Sequence, residues 1–243
     1  MVATPKAQEI EPSVAAAIRN LRTLMSSGAG FDPATSRRRF RIAASDYIVT
    51  VLIAPLLEIL EHEAAGVQID IFMPDAAAAE RLANGDIDLL ITLEQFLSPA
   101  HPREPLFAER HVVVGWSGNP VMQRPLTMAT FLESRHIAVQ IAGNDAFIET
   151  ILREAGVERR IEVRVPSFIQ VPWLLPGTRR LAMMHERLAR VMGPRLSLLR
   201  VEPPIDLPAM TEMMQFHATR ANDAGLAWLK RKLVTLAAQP QGA

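Results

Sequence analysis

Hydroxyl, carboxylate, aromatic and imidazole side chains gather at a few short places in this chain. Ser45, Asp46, Tyr47 and Ile48 form one group, Met73, Pro74 and Asp75 a second, and Thr92 a third. Gly143, Asn144 and Asp145, then Phe168, Ile169 and Gln170, then Met184 with His185, and Phe216 with His217 complete the set. Such groups can hydrogen-bond to a small molecule, stack on it and exclude water from it, but they lack the parts of a reaction centre. No Gly-x-Ser-x-Gly nucleophile elbow occurs, and the nearest strings, SSGAG and GWSGNP, have neither its spacing nor its context. HExxH, the P-loop and GxGxxG are missing as well. The chain has no cysteine, which removes disulfides, thiolate catalysis and Cys-based metal sites and fits a reducing compartment, the cytoplasm. His185 and His217 have no second ligand at metal spacing, so neither a metal nor a cofactor is expected. No catalytic residue is assigned; the chemistry is reversible binding.

What must position these groups is a repeated alternation of strand and helix. Phe40, Ile42 and Ala44 alternate as a strand and lead to Ser45 and Asp46, good N-cap residues, ahead of Val51, Leu52, Leu56, Ile59 and Leu60 at helical spacing. Val67, Ile69, Ile71 and Met73 give a second strand; Asp75 caps AAAAERLAN, Gly85 closes that helix, and Ile87 to Thr92 reads as a buried third strand. The βαβαβ order implies a parallel, right-handed sheet. After the strand His111 to Trp116 and the turn SGNP the pattern restarts with HIAVQI, a helix from Asp145 to Ala155, RIEVRV and a short helix near Phe168 to Leu175. LAMM, HERLARVM and LSLLRV continue it. Met213 to Ala218 reads as a strand, and Asp223 opens a final helix with Leu226, Leu229, Leu233 and Leu236 inward. The expected class is α/β with two Rossmann-like lobes, 31–117 with 213–243 and 118–212, preceded by a helix and turn over 1–30.

In open α/β sheets ligands bind beyond the carboxyl ends of the strands, where helix N-termini present free amides. That rule selects Ser45, Asp46, Tyr47, Ile48, Pro74, Thr92, Asn144, Asp145, Phe168, Ile169, Met184, Phe216 and His217 as candidate ligand contacts. For Asp46, helix capping is the commoner use. Phe168 and Ile169 follow Pro166 and Ser167 at a strand end, which favours pocket lining, whereas Met184 also suits a core. His185 and His217 are ordinarily satisfied polar residues, although either can donate to a phenolic oxygen. The charged candidates are Asp46, Asp75 and Asp145, with no Arg or Lys among them, so the set repels a carboxylate and suits a neutral aromatic or phenolic effector.

Bulk properties narrow the class further. Lys plus Arg equals Asp plus Glu at 26 each, so no net positive field draws nucleic acid to the chain. Arg37, Arg38, Arg39 and Arg41 straddle a turn and an alternating strand and read as a solvated edge. The longest uncharged apolar stretch, Tyr47 to Leu57, is interrupted by Pro55 and ended by Glu58, far short of a membrane span, and MVATPKAQEIEP has no signal-peptide core. Near the start, Ile10, Val14, Ala17, Leu21 and Leu24 recur in steps of four and three, the seam of a two-stranded coiled coil or equally of a helix packed on its own domain. SSGAG then breaks the helix.

The segment TPKAQEIEPSVAAAIRNLRTLM resembles the linker helix of LysR-type transcriptional regulators. FDPATSRRRFRIAASDY resembles the start of the effector domain in the branch of the nodulation regulators and the regulators of aromatic-compound degradation. GDIDLLI, PLFAERHVVVG, RPLTMATF, ERRIEVRVPSFIQVPWLL and LRVEPPIDLP follow in that family's order, end to end. The resemblance implies two lobes of the type 2 periplasmic-binding-protein kind with an effector in the cleft, homodimers through the linker helices, and tetramers on DNA. It also implies a winged helix-turn-helix of about sixty residues ahead of the linker. The numbering does not contain it, so a truncated chain is expected, touching DNA only through that missing part. The competing class is a stand-alone cytoplasmic small-molecule-binding protein of the same fold, which has no use for an exposed seam between Ile10 and Met25.

Overall fold

Phe40 and Ile42 are fully buried while their neighbours Arg39 and Arg41 keep some exposure, and this alternation makes β1 (Arg39–Ala43) the strand on which the first sheet is built in the computed structural model. The structure describes residues 30–141 and 143–239, with Thr4, Lys6, Ala7, Ile10 and Val14. It divides into two compact units: residues up to 45 with 52–107 and 212–239, and residues 46–51 with 108–211.

In the first unit β1 lies parallel to β2 (Gln68–Phe72) and β3 (Leu89–Leu93), as the strand-helix-strand order requires. β11 (Met210–Gln215) runs antiparallel to β3, and β4 (Arg103–Glu109) completes the order β2, β1, β3, β11, β4. The last strand begins three residues before Met213, the start expected from sequence, and β4 has no counterpart among the expected elements. α3 (Ala78–Ala83) packs Ala78 and Leu82 against Ala43, Leu90 and Met213. Asp75 begins that helix through an Asx turn to Ala77 and not as its N-cap, and Gly85, at φ +74°, ends it.

Residues 46–63 are helical but not uniformly so. α1 (Asp46–Ile48) passes into a π-helical turn, Val49–Ile53, before α2 (Ala54–Glu63). Pro55 has no N–H to donate to the carbonyl four residues back, and the widened turn absorbs that defect.

The second unit holds a six-stranded sheet. β6 (Arg135–Ile141) is parallel to β8 (Arg160–Val165) and β9 (Arg180–His185), while β5 (His111–Trp116) is antiparallel to β9 and to β10 (Leu198–Val201). β5 therefore belongs to this unit, and the division falls before His111 instead of after Ser117. The register pairing of His111 with His185 is what assigns it there. β7 (Asn144–Asp145) pairs with the end of β6, so α5 (Phe147–Glu154) starts two residues later than expected and Asp145 is not its cap. α4 (Met128–Glu133) and α5 bury Phe131, Ile148 and Leu152 against Val113, Leu181 and Met183. α6 (Glu186–Leu196) follows β9 directly.

Near the N-terminus Lys6, Ala7, Ile10 and Val14 are helical, and the Thr4 hydroxyl accepts from the Ala7 amide at 3.2 Å. Ile10 and Val14 are 46% and 49% exposed. Ala17, Leu21 and Leu24, the rest of the seam, lie outside the described residues. Among the described residues no helix is long and apolar enough to cross a membrane.

α7 (Ala224–Ala237) buries Leu226, Leu229, Leu233 and Leu236, as the leucine spacing predicts. Its cap Asp223 does more than capping. Besides accepting from the Leu226 amide at 2.9 Å, the carboxylate accepts from Arg38 Nη1 and Nη2 at 2.5 Å each and from Arg220 Nη2 at 2.7 Å. Arg220 also reaches Asp88, whose carboxylate accepts from the Arg41 amide at 2.7 Å and lies 3.2 Å from the Arg41 guanidinium. The expected solvated arginine edge is thus half wrong: Arg38 and Arg41 are counter-ions of two aspartates 1% and 3% exposed, while Arg37 and Arg39 stay exposed, Arg39 lying 3.4 Å from Asp70. Buried carboxylates demand paired cations. Burial pushes the Asp223 pKa up, but the hydrogen bonds of Arg38, Leu226 and Arg220 outweigh it and hold the carboxyl well below the usual range. Asp223 therefore stabilises the fold above the unfolded carboxyl value of about 3.9, and loses that contribution as pH falls through its lower folded value. Asp223→Ala should cost about 3–5 kcal/mol in urea unfolding near neutral pH, with a smaller deficit at acid pH.

Candidate ligand-binding site

The carboxyl ends of the parallel strands in the second unit are Ile141, Val165 and His185, and antiparallel β5 begins opposite the last of these. Asp46, Tyr47, Phe168 and Ile169 assemble at this edge. Asp46 Oδ1 accepts from the Tyr47 amide at 2.7 Å, and Oδ2 accepts from Ser167 Oγ at 2.5 Å and from the Ile169 amide at 3.4 Å. The carboxylate therefore fixes the turn that carries Phe168 and Ile169, a structural use and not the ordinary N2 or N3 cap.

Tyr47 is 1% exposed and its hydroxyl donates to Glu109, which is 2% exposed. The same carboxylate accepts from the amides of Arg110 at 2.9 Å and Arg187 at 3.4 Å. Burial raises the Glu109 pKa; the bonds from Tyr47, Arg110 and Arg187 and the Arg187 charge oppose that rise without cancelling it. The Tyr47 ring stacks on His185 at 3.9 Å and 13°, Phe168 meets His185 edge-on at 4.8 Å, and His111 lies 4.9 Å from His185 and 6.2 Å from Phe147. Burial lowers His111 to about 4, and burial with the neighbouring His111 lowers His185 well below the usual imidazole range. Both rings are neutral at physiological pH.

The other candidates lie elsewhere. Ile48 is fully buried. Met184 pairs with Val112 and, by strand alternation, points to the face opposite His185, where it is 3% exposed. Asn144 and Asp145 are exposed in β7, and Asp145 is ion-paired to Arg153. In the first unit Ser45 follows β1, Pro74 follows β2 and Thr92 lies at the end of β3, so those three share the carboxyl edge of that sheet. Phe216 and His217 do not join them. β11 is antiparallel, Gln215 pairs with Leu90, and the residues after it emerge at the amino edge. There Lys230 Nζ sits 3.8 Å over Phe216, and His217 Nδ1 accepts from the Thr219 amide. A cavity of about 270 Å³ in the first unit, lined by Phe31, Asp32, Thr35, Ser36 and Arg38 among others, involves none of the candidates.

Sequence reasoning passed over Glu109, His111 and Ser167. Each acquires its role from a partner distant along the chain, and only His111, opening an apolar strand, carried any local signal.

A family model described as the LysR substrate binding domain matches residues 33–238. Nodulation protein D 1 of Mesorhizobium japonicum is 35% identical over 235 residues, 96% of this chain and 75% of that protein. Nodulation protein D of a Bradyrhizobium species is 36% identical over 236 residues, 96% of this chain and 70% of that protein. Among solved structures, a probable transcriptional regulator from Pseudomonas aeruginosa superposes with a TM-score of 0.79 at 28% identity, covering 96% of this chain and 78% of that one. The regulatory domain of MexT, a transcriptional activator in the same organism, gives 0.72 at 25% identity, covering 84% of this chain and all of that one.

If Tyr47 shields the Glu109 charge, Tyr47→Phe should cost about 1.5–3 kcal/mol near neutral pH, the worth of a hydrogen bond to a charged group. Glu109→Gln keeps an acceptor without the buried charge and should cost less. Because Glu109 has a raised folded pKa, its ionisation costs stability as pH rises through that value. Urea unfolding of Glu109→Gln should therefore gain on the unsubstituted protein from acid to neutral pH.

Proposed function

The chain belongs to the LysR family, as a substrate-binding region of transcriptional regulators, and on that premise we propose that it senses a small neutral aromatic or phenolic effector at the carboxyl edges of its sheets. The observation that carries this reading is the ring cluster in which half-buried Phe147 and Phe168 present aromatic surface over buried Tyr47 and the neutral imidazoles of His111 and His185. The carboxylates beside it, Asp46 and Glu109, are committed to Ser167, Ile169, Tyr47 and Arg187. A carboxylate effector entering here meets two carboxyl groups and finds no cation that is not already shared with Glu109. Ser45, Pro74 and Thr92 are the corresponding contacts proposed on the first unit.

Signalling requires no chemistry on the ligand. An effector shifts the regulator between two states only by binding one of them better, and the differential affinity sets the size of the response. Residues 1–30 serve as the dimerisation helix, dimers assemble into tetramers on DNA, and the protein acts in the cytoplasm. Light scattering of the chain with and without residues 1–30 distinguishes this from a stand-alone binding protein: loss of a dimer on removal supports the regulator, and a monomer in both cases supports the alternative.

Thermal-shift measurements against phenols, chlorinated aromatics, flavonoids and aromatic acids test the ligand class. A neutral aromatic at a hundred times its Kd should stabilise the protein by about 2.7 kcal/mol, and Phe168→Ala should reduce the shift. Stabilisation by aromatic acids that a Ser45 substitution abolishes would overturn the neutral-effector reading.

A further inference from the structure

Arg135, Arg160 and Arg180 are each the first residue of a strand, β6, β8 and β9 in turn. The parallel register pairs Arg135 with both of the others, so three arginines stand side by side on one face of the second sheet. They lie at its amino edge, the end opposite the candidate ligand site. Neighbouring strands are about 4.8 Å apart, and like charges set directly opposite one another destabilise a sheet. Protection of an open strand edge accounts for Arg160 on β8, but β6 and β9 are paired on both sides.

Among the described residues Glu162 is the one carboxylate bonded to the row, accepting from Arg180 Nε at 2.6 Å and from Arg135 Nη1 at 3.2 Å. The hydrogen bond from Arg180 and the charges of Arg180, Arg135 and Arg160 hold its carboxyl below the usual range. Glu133 and Glu158, two residues ahead of Arg135 and Arg160, are exposed and make no ion pair with the row. Three cations therefore share one carboxylate. The residues that flank them in the chain, Ser134, His136, Arg159, Ile161, Arg179 and Leu181, include no exposed apolar side chain. A protein partner would ordinarily need such an anchor, whereas a phosphate backbone needs only charge.

We propose that this arginine row binds the phosphate backbone of duplex DNA, independently of base sequence. This rests on the reading of the chain as part of a DNA-bound regulator and adds a contact outside the winged helix-turn-helix that the family resemblance implies. Guanidinium forks suit phosphate oxygens, and phosphate contacts position a protein on a duplex without reading its bases. A DNA-reading head on the same polypeptide keeps the row at high effective concentration near the duplex, so a weak contact suffices.

The test is fluorescence anisotropy of a labelled duplex of arbitrary sequence titrated with the full chain at low and raised salt. Neutralising three phosphates predicts an affinity loss of about twentyfold for a roughly threefold rise in salt. Arg160→Gln should weaken binding and reduce the slope of log affinity against log salt by about 0.9, and Arg160→Lys should keep that slope. Glu162→Gln should tighten binding. Both positions are exposed on an edge strand, and urea unfolding of each variant checks that the fold is retained. Absence of binding at low salt, or an affinity and slope that Arg160→Gln leaves unchanged, overturns the proposal. Labelled poly-glutamate bound more tightly than the duplex points to an acidic protein segment and overturns the DNA assignment. The light-scattering comparison above tests the regulator reading separately: a monomer with and without residues 1–30, together with Arg160-dependent DNA binding, removes that reading and supports the arginine row.

Discussion

Asp223 is a nearly inaccessible carboxylate, and the first unit is arranged around keeping it ionised. Arg38 from the approach to β1, Arg220 from the turn after β11 and the Leu226 amide of α7 all converge on it. Arg220 passes the constraint on to Asp88 ahead of β3, and Arg41 returns it to β1. Strands and helix far apart in the chain are thereby fixed by charge as well as by apolar burial. Breaking such a network is costly because each remaining charge is left buried and unpaired. The packing around it is correspondingly tight. A Cβ on Gly225 would lie 2.4 Å from the Arg38 guanidinium.

The second unit solves the same problem differently. Its edge buries Glu109 and two histidines, but here the compensation is a phenol hydroxyl, two backbone amides and stacked rings, with the Arg187 guanidinium only at 3.9 Å. Imidazoles in such surroundings stay neutral because nothing repays the loss of water around a cation. On the proposed reading, that neutrality sets what the edge recognises. It favours aromatic stacking and a directional hydrogen bond over attraction of an anion, which separates this chemistry from sites built around an arginine fork.

α1 links these considerations to the backbone. Residues 46–51, which are α1 and the start of the π-helical turn, belong with the second unit although Ser45 before them and Leu52 after them belong with the first. Asp46 and Tyr47 are the side chains that hold this turn, through Ser167, Ile169 and Glu109. The π-helical turn at Val49–Ile53 coincides with the place where the chain returns to the first unit.

Local pattern alone determined the elements whose burial is one-sided and periodic. Phe40 and Ile42 alternate, the leucines of α7 recur at helical spacing, and Gly85 supplies the positive φ that ends α3. The parallel order of β1, β2 and β3 followed from the connections between them, and the candidate Asp46, Tyr47, Phe168 and Ile169 followed from the rule that ligands meet the carboxyl ends of strands. Tertiary structure decided everything that depends on which strand pairs with which. The antiparallel run of β11 sends Phe216 and His217 to the wrong edge for Thr92, and alternation in β9 separates Met184 from His185. β5 joined the second sheet, and Glu109, His111 and Ser167 gained their partners, only through long-range pairing. Hydrophobic periodicity reports whether a residue is inside, since burial is a property of the segment. Hydrogen bonds and charge pairs are properties of two places at once, and the sequence writes those places far apart.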